Sequence, residues 1–145
     1  MARPAITPIA VTAADQETFG RMLVEVNEAW SRADRSALRR LSTPEMASYF
    51  EGDLRDLAAR GWTNRASDVR LESGDVAEAW READGTEYAT AAMRFGLVDV
   101  TTDAAGNAVE GHPTERQTAT ELWTFSRRGP GNDWVLSAIQ QTGRG

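Results

Sequence analysis

The hydrophobic period of this chain changes once, at Gly61, and that change decides what it can fold into. Upstream, Phe19, Met22, Leu23, Val26 and Trp30 fall at i, i+3, i+4, i+7 and i+11, which puts them on one stripe of a helix over about residues 14–32. Thr12 or Asp15 can cap its start. A short second helix is expected over residues 35–41, capped by Asp34, with Leu38 and Leu41 inward. A third begins with Thr43 as cap and Pro44 at the first helical position, carries Met46, Tyr49, Phe50, Leu54 and Leu57 as its stripe, and ends at Gly61.

Downstream the period is two. Residues 68–82 alternate weakly, with Gly74 as the expected bulge, and Asp84-Gly85 is a two-residue hairpin signal. Residues 86–101 form a long strand with Ala89, Ala91, Met93, Phe95 and Leu97 on one face and Tyr88, Thr90, Ala92, Arg94 and Val98 on the other. A polar loop is expected over residues 103–113. Two last strands, over about 116–127 and 133–142, flank a turn at Gly129-Pro130-Gly131-Asn132. Helices first and four antiparallel strands after them imply an α+β fold, with the helices packed on one face of a curved sheet. Residues 1–13, with Pro4 and Pro8 and no period, read as an extended or disordered lead-in. Residues 14–145 read as one domain, large enough to bury a core without staples.

Composition excludes several chemistries. With no Cys there are no disulfides or thiol chemistry, and with His112 as the one His there is no His-rich metal site. The net charge is −6 and all sixteen basic residues are Arg. An acidic chain argues against nucleic acid, which requires a basic stripe, and the missing Lys points to a GC-rich bacterial genome. No apolar run reaches the roughly 18 residues that span a bilayer, and the first residues lack the apolar core of a signal peptide. No phosphate loop, nucleophile elbow, catalytic Ser-His-Asp set or zinc pattern is present, and no cofactor is implied.

Four constellations remain. The aromatic residues can form the core or wall an open apolar pocket, and the pocket reading takes Trp30, Tyr49, Phe50, Trp62, Phe95, Trp123 and Trp134 as lining. Glu121, inside the most apolar strand, is either a carboxyl of raised pKa or one half of an ion pair; Arg94 is the expected partner, with Arg116 the other candidate. Asp99, Asp103, Glu110 and His112 match no metal-ligand spacing and read as a solvated hairpin loop. Arg32, Arg35, Arg39 and Arg40 form the best local basic patch, suited to anionic head groups or else to pairing with nearby acids.

Two stretches carry a resemblance. Ala29-Trp30-Ser31-Arg32-Ala33-Asp34 through Leu41-Ser42-Thr43-Pro44-Glu45-Met46 resembles the helix–turn–helix opening of Tim44-like domains. Thr120-Glu121-Leu122-Trp123-Thr124-Phe125 with Trp134-Val135-Leu136-Ser137-Ala138-Ile139-Gln140-Gln141 resembles that family's closing hairpin. The resemblance spans about residues 15–141. It implies the cone-shaped α+β fold of the nuclear-transport-factor-2-like superfamily and a non-enzymatic role at an inner membrane, in a family related to protein translocation.

The expectation is therefore a membrane-peripheral binding or scaffold domain with an apolar cavity for a lipid acyl chain or a hydrophobic peptide. In a bacterium it would sit at the inner-membrane periphery if an upstream anchor exists, the chain itself being soluble. The alternative is an isomerase- or hydrolase-type enzyme of the same cone, using Glu121 with Tyr88 or Tyr49. Self-association through the open sheet face, where Trp80, Tyr88 and Arg94 would lie, is a further expectation.

Overall fold

The computed structural model describes residues 6–142. The element order is β1 (Thr7–Pro8), α1 (Ala13–Ser31), α2 (Arg35–Leu41), α3 (Pro44–Ala59), β2 (Thr63–Arg81), β3 (Glu87–Thr102), β4 (Ala108–Arg127) and β5 (Val135–Gln141). Each helix begins where side-chain chemistry satisfies its free N–H groups. The Thr12 hydroxyl accepts from Asp15 N while the Asp15 carboxylate accepts from Thr12 N, a reciprocal capping box. Asp34 and Thr43 accept from Ala37 N and Met46 N in the same way.

The strands form one antiparallel sheet in chain order, β1-β2-β3-β4-β5. It has five strands rather than the four expected. The fifth lies in the lead-in, where Thr7 and Pro8 pair with Arg81 and Trp80. Residues 1–5 of that lead-in lie outside the described residues. β2 starts five residues earlier than its alternation suggests, because Thr63–Ser67 pair with Thr102–Val98 although only Ala66 among them is buried. Its irregularities fall between Ser67 and Arg70, Leu71 and Ser73, and Val76 and Glu78; Gly74 itself pairs in register with Met93. Asp68 takes the left-handed conformation (φ 51°) at the first of them, which a short polar side chain tolerates. The polar loop is also shorter than expected. It spans residues 103–107, and β4 resumes pairing at Ala108.

Helix α1 lies across the inner face of the sheet. Phe19, Met22, Leu23, Val26 and Ala29 are buried there against Ala89, Ala91, Met93, Phe95 and Leu97 of β3 and Trp123 and Phe125 of β4. Phe19 stacks on Phe125 with ring centroids 4.2 Å apart and meets Trp134 edge-on at 5.2 Å. Helices α2 and α3 close one side, tied to β5 by Thr43 N donating to Leu136 O.

One end of the sheet is held by a buried charge network. The Glu87 carboxylate is 1% exposed and accepts from Arg81 (2.5 Å) and Arg127 (2.8 Å). Arg127 also lies over the Trp134 ring and 3.5 Å from Asp15, whose carboxylate accepts from the Trp134 indole. The network joins the start of α1 to both hairpins. On the outer face, Trp80 stacks on Tyr88 (5.2 Å), and Arg94 projects from the same side to pair with Glu72 (3.3 Å).

Candidate functional site

The opposite end of the half-barrel is open. There β3 and β4 continue past the last large core residues, and the inner-face positions turn polar: Asp99 and Thr101 follow Phe95 and Leu97 on β3, and Gln117 and Glu121 flank Ala119 on β4. Helix α1 ends above them. The result is a cavity of about 570 Å³, with Asn27 and Trp30 from α1, Asn64 and Ala66 from β2, and Gln141 from β5 completing its wall. A volume of this size suits a small molecule or a few residues of peptide.

Its wall is organised by hydrogen bonds. The Trp30 indole donates to Asn64 Oδ1 at 2.8 Å; the Asn64 amide donates to Asp99 Oδ1 at 2.8 Å and to Thr101 Oγ1 at 2.9 Å. Ser31 bridges α1 to β2, donating to Ala66 O and accepting from Ala66 N. These contacts fix the helix end over the sheet and hold the cavity open. Glu121 is half-buried in the wall, and its Oε1 accepts from the Trp123 indole at 2.9 Å. Burial pushes its carboxyl above the usual carboxylate range, and the Trp123 hydrogen bond offsets that only in part.

The expected Glu121–Arg94 pair does not form. Register explains this: Arg94 lies opposite Thr120 on the outer face, and Glu121 lies opposite Met93 on the inner one. Arg94 pairs with Glu72, and Arg116 pairs with Asp68 at 2.6 Å. Among the described residues Glu121 has no cationic partner.

Of the seven aromatic residues expected to line a pocket, Trp30 and Phe95 reach the cavity. Phe50 supports Trp30 from behind, at 6.0 Å, and Trp123 and Trp134 are packed in the core. Trp62 lies beneath the Arg60 guanidinium at the end of α3. Tyr49 points to solvent, 72% exposed, because the buried stripe of α3 runs through Ala47, Phe50 and Leu54. The cavity is therefore more polar than the apolar pocket expected. A more apolar groove of about 490 Å³ does exist elsewhere, between α1 and β2, lined by Phe19, Gly20, Leu71, Val76 and Met93 among others.

Asp99 and Glu110 lie on β3 and β4 rather than in a loop and border the cavity, Glu110 being exposed there. Asp103 does sit in the loop, where it accepts from the backbone of Ala105 and Asn107. His112 accepts from the N–H groups of Thr114 and Glu115 beside the irregular β4 stretch. Among the described residues no cluster of His, Asp or Glu is arranged to hold a metal ion. Arg32, Arg35, Arg39 and Arg40 are all exposed around α2; Arg39 pairs with Glu51 at 3.2 Å. Sequence reasoning missed Asn27, Asn64 and Gln117, single amides whose roles arise only when α1, β2 and β4 meet.

Comparison with known proteins agrees with this architecture. The intermembrane-space region of the chloroplast protein ARC6 superposes with a TM-score of 0.57 at 15% identity, covering 92% of this chain and all of that one, a likeness of fold alone. No curated protein matches the sequence. No helix among the described residues is long and apolar enough to cross a membrane. The family model of the Tim44-like domain matches residues 15–141, and the chain belongs to that family.

Proposed function

We propose that this domain is a non-catalytic binding scaffold at a membrane periphery, which holds a segment of a partner protein in the cavity at the open end of its half-barrel. The observation that carries this reading is the lining of the cavity: an aromatic floor of Trp30 and Phe95 beneath walls of amide and carboxylate groups. Peptide backbone supplies the donors and acceptors such a wall requires. An acyl chain would cover the lining amide and carboxylate atoms that make no hydrogen bond within the protein and leave them unpaired, which costs roughly 1–3 kcal/mol for each. The polar lining therefore favours peptide over lipid here, and family membership supports a scaffold role. The test is a titration of the ¹⁵N-labelled domain with a panel of unstructured peptides. Saturable shifts at the Trp30 indole and the Asn27 and Asn64 amides are expected; shifts confined to other surfaces would sink the cavity assignment.

A second reading, catalysis by a pocket carboxylate, has one observation in its favour, the raised pKa of Glu121. Its expected partners are elsewhere: Tyr88 stacks on Trp80 on the outer face and Tyr49 is exposed on α3.

A further inference from the structure

Strand β2 has an open edge for most of its length among the described residues. On that side β1 pairs with Arg81 and Trp80, and Ile9 N donates to Ala79 O before the chain enters α1. This last bond fixes the phase of the ladder. The Ala79 carbonyl points to β1, so Glu78 and Trp80 bond to β3 at Thr90 and Tyr88, and the even-numbered residues of this part of β3 face β2. Ser73 and Asp75, opposite Arg94 and Ala92, therefore bond to β3, while the N–H and C=O groups of Gly74 and Val76 point to the open edge. Among the described residues no backbone group pairs with them there.

The apolar groove between α1 and β2 opens beside these groups. Gly74 has no side chain to cover Ala91 and Met93 in its floor, and Leu71, 41% exposed, and half-buried Val76 flank Gly74 along the strand. Unpaired ladder groups next to a slot for alternate side chains are the two parts that a strand-accepting site requires. That β1 already seats on this edge shows that it takes a strand. Irregularities between Leu71 and Ser73 and between Val76 and Glu78 bracket the open ladder, so an added strand is short. The charges are one-sided. Arg21 pairs with Glu25, Arg70 with Asp68 and Arg94 with Glu72, which leaves Glu17, Asp75 and Glu78 unpaired among the described residues around the groove.

We propose that the β2 edge takes up a short extended segment of a partner protein as an antiparallel strand in line with β1. Its residues opposite Val76 and Gly74 are apolar and enter the groove. The residue between them is basic and lies opposite Asp75 on the outer face, a cross-strand pair of opposite charge. An acyl chain in the same groove would leave the ladder groups of Gly74 and Val76 without partners. The groove shares no lining residue with the cavity at the open end, so this site stands or falls independently of that one.

The probe is acetyl-Lys-Val-Arg-Val-Lys-amide, titrated into the ¹⁵N-labelled domain. Saturable shifts are expected at the Gly20, Gly74 and Val76 amides, with the Trp30 indole and the Asn64 amide still. N-methylation of both valines removes the N–H groups that face β2 and should weaken binding about tenfold or more. N-methylation of the central arginine, whose N–H faces away from β2, should change it little. Glutamate in place of that arginine should weaken binding several-fold at low salt. In the domain, Gly74→Val fills the slot. A Cβ at Gly74 meets the Leu71 methyls at 3.7 and 3.9 Å, ordinary contact, so the fold should persist while affinity drops about tenfold or more. Equal binding of the N-methylvaline peptide, or the same shifts from decanoate at lower concentration, would reduce the contact to apolar insertion and overturn the strand. Shifts confined to Trp30 and Asn64 would give the peptide to the cavity, and shifts at Gly74 that grow with protein concentration alone would give the edge to a second copy. Either result overturns the proposal, as does silence at Gly74 with the peptide at millimolar concentration.

Discussion

Glu87 and Glu121 are carboxylates on the inner face of the same sheet, and the structure treats them oppositely. Desolvation acts on both, but the Arg127 and Arg81 hydrogen bonds outweigh it at Glu87 and hold its carboxyl below the usual range, whereas Glu121 has only an indole N–H and stays above it. Asp15, also desolvated, is lowered by its bonds from Trp134 and Thr12. The linkage signs follow. Glu87 and Asp15 contribute stability that is present above their unfolded values, near 4.5 and 3.8, and is lost as pH falls through their lower folded values. Glu121 works the other way: its ionised form is disfavoured in the fold, so stability rises as pH falls through its raised folded value and levels off below about 4.5. Urea unfolding should therefore show stability increasing as pH falls toward about 4.5, then falling steeply below about 4. Glu121→Gln should flatten the first limb and leave the second. Glu87→Ala, which removes the carboxylate that both Arg81 and Arg127 bond, should lose roughly 3–5 kcal/mol at pH 7 in the same assay.

At the scale of elements, the site depends on how β3 and β4 pair where the ladder is irregular. Between the pairs Val98–Arg116 and Val100–Gly111, β4 carries residues that oppose nothing on β3. Gly111 makes this possible. It adopts φ 73°, and a Cβ there would overlap the Asp99 carbonyl oxygen, backbone that cannot move aside cheaply. Gly111→Ala should cost about 2 kcal/mol or more in thermal or chemical unfolding and should displace Asp99 from the cavity wall, since both conformational strain and steric overlap arise at one position. A variant with unchanged stability would show that the β4 irregularity can relax without this glycine. The same irregularity hid the strand from sequence reasoning. Gly106-Asn107, Gly111 and Pro113 are loop chemistry by local rules, and only the pairing of Ala108, Glu110 and Gly111 with β3 makes that stretch part of a strand. By contrast, the starts of α2 and α3 were fully legible, because Asp34 and Thr43 accept from N–H groups three residues away and Pro44 suits the first helical position.

For the whole molecule, the question is where a membrane surface would meet it. The net charge of −6 repels an anionic bilayer, so association must come from a local patch within a Debye length, about 8–10 Å, of the lipid. Arg32, Arg35, Arg39 and Arg40 are exposed on the helical side, and Arg39 alone of the four has an ion-pair partner among the described residues. Each such Arg is worth about 1 kcal/mol near anionic lipid. Flotation with vesicles containing phosphatidylserine or phosphatidylglycerol should recover the domain at low salt and lose it at about 0.5 M. Arg35→Glu with Arg39→Glu should weaken recovery at least tenfold; unchanged recovery would remove this face as the contact.

The sequence by itself determined what depends on neighbours along the chain: the helix caps, the apolar stripe of α1, the alternating faces of β3, the closing hairpin, and through them the α+β class and the family. Those signals act over a few residues and survive any uncertainty about the rest of the fold. Only the tertiary structure decided the register of β3 against β4, which sends Arg94 outward and leaves Glu121 without a cation among the described residues. Only it brought Asn27, Trp30, Asn64 and Asp99 from separate elements to one open end, and made polar a cavity that the wealth of aromatic residues suggested would be apolar. Register shifts of a single residue exchange the faces of a strand, so the chemistry of a site built across strands is set by pairing rather than by composition.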